Sequence, residues 1–317
     1  MNYLVPETKF ESHVRIRKWF YRIAFWMLAM VLLFALVRNS NWQQSLIKLA
    51  DTPLTTLILC AGLWVFSFVF RAFRFQSEWK NFGRISFFAS MRAIALHNAA
   101  VVLVPFRVGE LGYPVLVREL VNVPWSQCVR SLLWLRFQDG VVLALLAVLI
   151  LPFVALELRF SFLIFAACLV MATRNQWVKI LRSRHFLIRQ LRAFLHQRSD
   201  SMGWLWSISN WACKLLTITI FLQSLTDLPA CQTLRGALTG ELSALMPLTG
   251  PAGFGTYEAG VWMGLGLAWK EMSHLMSSIV ISHIFFLLVS LLLAFIFMVS
   301  DGVNGLFIKS HQSRANA

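Results

Sequence analysis

Six stretches of this chain, at about 21–38, 54–73, 129–151, 157–173, 203–223 and 275–299, are apolar for long enough to cross ~30 Å of hydrocarbon. In lipid such a segment has to be helical, because every backbone N–H and C=O must find its partner within the segment. Two further apolar stretches, 85–118 and 233–268, are each broken midway by Pro and Gly. Each suits a re-entrant helical hairpin that enters the membrane, turns at the break and leaves on the side it came from. The expected fold is an all-α polytopic membrane protein of about six full transmembrane helices plus two re-entrant hairpins.

With 58% hydrophobic and only 14% charged residues over 317 positions, the chain is too apolar for a soluble domain and reads as one membrane domain, 1–317. A net charge of +15 would point to nucleic acid if the Lys and Arg formed a solvated face. They lie mostly beside the spans instead, so nucleic acid is not an expected partner. The five Cys form no CxxC pair, the seven His no HExxH, and no GxSxG elbow occurs. A disulfide framework, a zinc site and familiar hydrolase chemistry are therefore not expected, and no metal or cofactor is implied. Basic residues precede an apolar run from Ile23 to Val37, as in a signal peptide, but the run ends in Arg38-Asn39-Ser40 without a small-x-small cleavage site. It reads as an uncleaved first helix.

Charge placement orients the chain. With the basic N-terminus (1–20) in the cytoplasm, that side and its adjoining ends hold Lys9, Arg15, Arg17, Lys18 and Arg22, then Arg71, Arg74, Lys80, Arg84 and Arg92. It also holds seven Lys/Arg in the loop 174–198, and Lys309 and Arg314 in the tail 300–317. The opposite side holds only Arg38, Lys48, Arg159, Arg235 and Lys270. Both termini are expected inside. The first hairpin then opens from the cytoplasm and the second from outside, which suggests an inverted repeat of the kind that places a transported substrate near the midplane. The loop 174–198 interleaves apolar and basic residues, as an amphipathic helix on an anionic cytoplasmic leaflet would, or a solvated loop obeying the positive-inside rule.

The charged residues at the breaks carry the chemistry. In VPFRVGE, Arg107 and Glu110 are three residues apart, close enough to pair. They either pin the hairpin as an ion pair, or Arg107 offers its planar fork of donors to a phosphate. Arg136 and Asp139 repeat the spacing in the next span, as a mutual salt bridge or as a coupling element. In GPAGFGTYE, Gly250, Gly253 and Gly255 precede a segment that can restart as a helix at about Thr256, with backbone N–H groups free for an anion. A tight helix-packing turn is the alternative. The string scans as GxGxxE, but no strand precedes it, so it is no dinucleotide fingerprint. Glu241 and Glu258 flank this break, and Lys214 lies mid-span as their potential charge partner. His97, Asn98 and His283 read as hydrogen-bonded packing residues.

The succession NAAVVLVPFRVGELGYPVLVREL, WSQCVRSLLWLRFQDGVV and ELSALMPLTGPAGFGTYEAGVWMGLGL resembles the membrane domain of the lysylphosphatidylglycerol synthase/flippase family. The resemblance implies a helical fold with re-entrant segments and a role in moving lipids or lipid-linked intermediates between leaflets. It carries importance onto Pro105, Arg107, Gly109, Glu110, Arg136, Asp139, Pro251, Gly253, Gly255 and Glu258. The sequence reaches Ala317 about eighteen residues past the last span, so a soluble aminoacyl-transferase domain is not expected. A stand-alone flippase-like protein of the bacterial inner membrane is the expectation, with membrane lipids as partners. The alternatives are an accessory subunit of an envelope-synthesis complex, and a membrane-embedded headgroup-modifying enzyme with Glu110, Asp139 or Glu258 as general base.

Overall fold

The computed structural model describes residues 42–104, 108–150, 201–245, 249–267 and 272–315, which are helical with no strand among them. A short helix α1 (Trp42–Asp51) leads into α2 (Leu54–Trp79), α3 (Phe87–Leu103), a 3-10 turn (Val108–Leu111), α4 (Gly112–Val121) and α5 (Trp125–Ile150). From Ser201 onward come α6 (Ser201–Thr226), α7 (Ala230–Ser243), a 3-10 turn (Pro251–Gly253), α8 (Thr256–Leu265) and α9 (Met272–Ala315). The expected spans at 21–38 and 157–173 and the loop 174–198 lie outside the described residues.

Helices α2, α5, α6 and α9 are long and apolar enough to cross a membrane. Their outer faces stay apolar: Ile58, Phe66, Leu133, Leu216, Leu292 and Phe295 are all exposed. Large apolar side chains on the outside of an already packed bundle fit lipid as the surrounding solvent. Each helix runs beyond the stretch expected for it, α2 by six residues to Trp79 and α9 through Ala315. Helices end where backbone hydrogen bonding fails, and polar residues alone do not end them.

The centre is built on α2 and α6, which pack along their length, with α9 closing one side. Trp64 of α2 donates its indole N–H to Ser290 Oγ (2.8 Å) and stacks on Phe286 at 4.3 Å, while Phe221 of α6 stacks on Phe285 at 4.4 Å. Ser45 fastens α1 to Ser277 and Ser278 of α9 at 2.6 and 3.0 Å. Lys48 of α1 and Asp227 just past α6 form an ion pair at 2.5 Å.

Both interrupted segments fold back on themselves. Ser86 caps α3 by accepting from the Ala89 N–H, and α3 ends at Leu103, with Val104, the residue before Pro105, as its extended C-cap. The turn Val108–Leu111 and α4 then pack against α3. Gly109 presses so closely on it that a Cβ there would come within 2.0 Å of the Ala100 carbonyl oxygen. In the second segment α7 and α8 lie face to face through two GxxxG patterns, Gly236/Gly240 and Gly260/Gly264. A Cβ at Gly240 would stand 2.6 Å from Val261 Cγ2, and one at Gly264 would stand 2.4 Å from the Arg235 carbonyl oxygen. Small residues at this spacing let membrane helices approach to backbone contact.

Candidate functional site

The six extra residues of α2 change the meaning of two arginines that the charge pattern places at the cytoplasmic boundary. Arg71 and Arg74 both lie within the helix and face its neighbours. Arg74 is buried and grips Asp139 of α5 from two sides, Nη1 to Oδ1 at 2.6 Å and Nη2 to Oδ2 at 3.2 Å. Asp139 Oδ1 also accepts from Trp211 Nε1 at 2.9 Å and from Ser207 Oγ at 3.3 Å, so α2, α5 and α6 converge on one carboxylate. Buried charge is tolerable in such a bundle only when paired and hydrogen-bonded.

Arg136 keeps the ion pair its i, i+3 spacing suggests, at 3.8 Å from Asp139, and adds a closer one. Its Nε donates to Glu110 Oε2 at 3.1 Å, tying α5 to the first break, while its closest approach to Asp139 is a long 3.8 Å. Asp139 is held most closely by Arg74, so Arg136 bridges between it and the hairpin. Pro105 and Arg107 lie outside the described residues. Lys214 of α6 donates to Glu241 of α7 at 2.6 Å, and its ammonium sits 5.0 Å from the ring centroids of both Trp64 and Trp211.

Between these pairs lies a cavity of about 180 Å³. Arg71, Arg136, Asp139, Lys214 and Glu241 line it, together with Val101, Val102 and Val104 of the first broken segment. Thr249, Gly250, Ala252 and Gly253 of the second break complete the wall, and the turn Pro251–Gly253 touches α3. By helix rise, Arg136 stands roughly 17 Å from the start of α5 and Lys214 roughly 20 Å from the start of α6, each near the middle of its span. Arg71 donates to Asn98 Oδ1 at 3.2 Å and lies 5.0 Å from the Phe68 ring centroid, and no carboxylate pairs with it among the described residues. His97 Nδ1 and Asn210 Oδ1, both buried on this wall, have no hydrogen-bond partner among the described residues.

The second break is shaped by backbone conformation. Ala252, Gly253 and Gly255 have φ of 52°, 88° and 85°, and α8 restarts at Thr256. Glu258 occupies the helix start itself: Oε2 accepts from the Gly255 N–H at 2.6 Å, and Oε1 meets His283 Nδ1 at 2.6 Å. The Gly255 N–H is thus taken by the protein's own carboxylate and is not offered to an anion. The His283 ring lies against Phe254 and Tyr257, at centroid distances of 4.8 and 4.3 Å. Of the residues singled out from sequence, Arg136, Asp139, Lys214, Glu241 and Gly253 line the cavity. Gly109, Glu110, Pro251, Gly255 and Glu258 do not line it, and instead shape the two breaks around it.

Residues 19–294 match the family described as the lysylphosphatidylglycerol synthase TM region. The chain belongs to this family. No curated protein and no solved structure matches it. The region shared with the lysylphosphatidylglycerol synthase transmembrane family includes both breaks and every charged residue of the cavity wall.

Sequence reasoning gives no place in the site to Arg71, Arg74, His97 or Asn210 of this family member; it reads the arginines as orientation charges and His97 as a hydrogen-bonded packing residue, whereas His97 Nδ1 has no partner among the described residues. Arg71 and Arg74 are hidden by their place near the end of an apolar run, where basic residues ordinarily mark orientation. A signal for them does exist, in the single turn that separates them and in the unbroken helical pattern through Trp79. Asn210 stands as one polar residue in a long span and carries no sequence cue of its own.

Proposed function

We propose that the protein is a lipid translocase that moves a phospholipid, or a lipid-linked intermediate of the polyprenyl-phosphate type, across the bacterial inner membrane. The observation that carries the reading is Arg71. Around the cavity Arg74 is matched by Asp139, Arg136 by Glu110 and Lys214 by Glu241. Among the described residues Arg71 has an amide and an aromatic ring as its direct partners and no carboxylate of its own in ion-pair contact. An unmatched guanidinium inside a membrane helix is costly, and a phosphate oxygen supplies the missing charge in the geometry its fork of donors favours.

In this reading the two broken segments are re-entrant hairpins of an inverted repeat, with both termini cytoplasmic. Support comes from the Pro and Gly at each break, from α4 folding back on α3 and α8 on α7, and from the contribution of both segments to one cavity. The headgroup enters between the hairpins while its acyl or prenyl chains stay in lipid. Arg136, Asp139, Lys214, Glu241 and Gly253 form the polar wall it passes. Arg107, placed beside the first break by sequence, is a second phosphate ligand. The loop 174–198 rests on the anionic cytoplasmic leaflet.

The test is a headgroup-labelled lipid in vesicles containing the purified protein. A translocase moves the lipid and leaves it chemically unchanged, an enzyme alters it, and an accessory subunit alone does neither.

A further inference from the structure

A protonatable pair stands directly behind the cavity wall. Glu258 of α8 and His283 of α9 are only 1% and 8% exposed, and they meet at 2.6 Å through Oε1 and Nδ1. His283 lies eight residues into the apolar stretch Leu275–Ser300, roughly 12 Å along the helix by its rise per residue. Gly253 stands between the pair and the cavity: it lines the cavity, and a Cβ added to it would come 3.6 Å from His283 Cε1. Glu258 also holds the far end of the same turn, where Oε2 accepts from the Gly255 N–H at 2.6 Å. We infer that Glu258 and His283 form a proton-binding site linked to the cavity, so that an anionic headgroup and one proton cross together as an electroneutral pair.

The inference rests on the translocase reading and supplies its driving force. A carboxylate only accepts, so Nδ1 carries a hydrogen toward Oε1, and with a neutral imidazole the pair bears one net negative charge. A further proton, taken at Nε2 from one side of the membrane and released to the other, makes the pair neutral overall. A headgroup phosphate against Gly253 is repelled by the unloaded pair and not by the loaded one. Anion binding therefore favours proton uptake, and by linkage proton uptake favours the anion to the same degree. Loading also draws the Glu258 charge toward the imidazolium and loosens its hold on Gly255. That hold fixes a turn in which Ala252, at φ of 52°, is strained, so the shape of the cavity wall follows the proton. Ionisable groups inside membrane helices are costly to keep and recur along proton pathways.

The surrounding elements bring other titratable groups near the pair. Tyr257 lies against the His283 ring at 4.3 Å and within electrostatic reach of both Glu258 and Glu241. Glu241 of α7 is engaged by Lys214 of α6 at 2.6 Å, and Lys48 of α1 pairs with Asp227. Arg71 of α2 and His97 of α3 face the cavity on which Gly253 borders. His97 is the competing imidazole, and the test includes it.

Proton uptake is read separately from transport. The purified full chain in weakly buffered detergent receives saturating phosphatidylethanol, whose phosphodiester keeps its single charge across the range in which histidine titrates, and a pH-indicator dye counts the protons taken up. The expected result is an uptake that peaks at one pH, reaches at most about one proton per chain, and falls on either side. His283→Gln and Glu258→Gln should abolish it. Should these variants fail to fold, wild type in vesicles decides through the distribution of a trace of headgroup-labelled anionic phospholipid. One pH unit across the membrane should enrich that lipid about tenfold in the leaflet on the alkaline side, as one proton per lipid dictates, and a membrane potential alone should not. No proton uptake at any pH, or lipid that moves but ignores the pH gradient, would overturn the inference. So would uptake that survives in His283→Gln and is lost in His97→Gln. Proton uptake without lipid movement in vesicles leaves the linked proton site standing and sinks the translocase reading alone.

Discussion

Arg74 and Asp139, sixty-five positions apart in sequence, meet in a two-pronged ion pair that lies almost wholly out of contact with the surroundings. Trp211 and Ser207 complete the coordination of the carboxylate, so the pair joins three of the membrane-spanning helices at one point. Removing one partner leaves the other charge buried and uncompensated, a loss of about 3–5 kcal/mol. Asp139→Ala and Arg74→Ala should therefore give large drops in thermal stability and folded yield in detergent. The double variant Arg74→Met with Asp139→Leu should recover much of the loss, since it removes both charges together. Equal stability of the single variants and wild type would show that the pair is not structural.

The glycine seam between α7 and α8 predicts a position-specific pattern. At Gly264 a Cβ would enter the Arg235 backbone, and at Gly240 it would meet Val261. Gly264→Ala and Gly240→Ala should destabilise by roughly 1–3 kcal/mol, the ordinary cost of overpacking. Gly62 and Gly140, in α2 and α5, have nothing within 4 Å of an added Cβ. Gly62→Ala and Gly140→Ala should be neutral or stabilising, because Ala favours the helix. Thermal unfolding of the four variants is the measurement.

At Gly255 the obstacle is conformational. An added Cβ would meet open space, but φ of 85° is a region that L side chains rarely adopt. Gly255→Val should cost roughly 1–3 kcal/mol in local strain. Glu258→Gln keeps the shape but removes the charge that holds the Gly255 N–H and His283. Both variants should insert into membranes near wild-type levels and lose at least about tenfold in vesicle translocation, a difference of ~1.4 kcal/mol. If both fail to insert, the break serves helix packing alone.

The membrane class and both breaks were legible because they rest on local chemistry: long apolar runs, Pro105 after α3, and glycines whose backbone angles other residues avoid. The pairing of charges was less so. Sequence spacing pairs Arg136 with Asp139, and the two do meet at 3.8 Å, yet Asp139 is held more closely by Arg74 from another helix and Arg136 lies nearer to Glu110. Such choices depend on which helices touch, and one chain read in isolation carries no record of that. His283 is the hydrogen-bonded packing residue the sequence suggests, but its partner Glu258, close in space and far along the chain, is not legible from spacing. The GxxxG spacing stands in the sequence at Gly236/Gly240 and Gly260/Gly264, but spacing alone does not say that these two helices face each other.

Arg71 is where the account is most exposed. Its guanidinium lines the cavity without a carboxylate partner among the described residues, so Arg71→Gln should fold at least as well as wild type while losing the phosphate contact. The deciding measurement is the rate at which a headgroup-labelled anionic phospholipid crosses vesicles containing wild type, Arg71→Lys or Arg71→Gln at equal protein content. Wild type should exceed protein-free vesicles, Arg71→Lys should be slower because it loses the two-pronged geometry, and Arg71→Gln should fall by at least about tenfold. Wild-type vesicles no faster than protein-free ones, or Arg71→Gln as fast as wild type, would contradict the account.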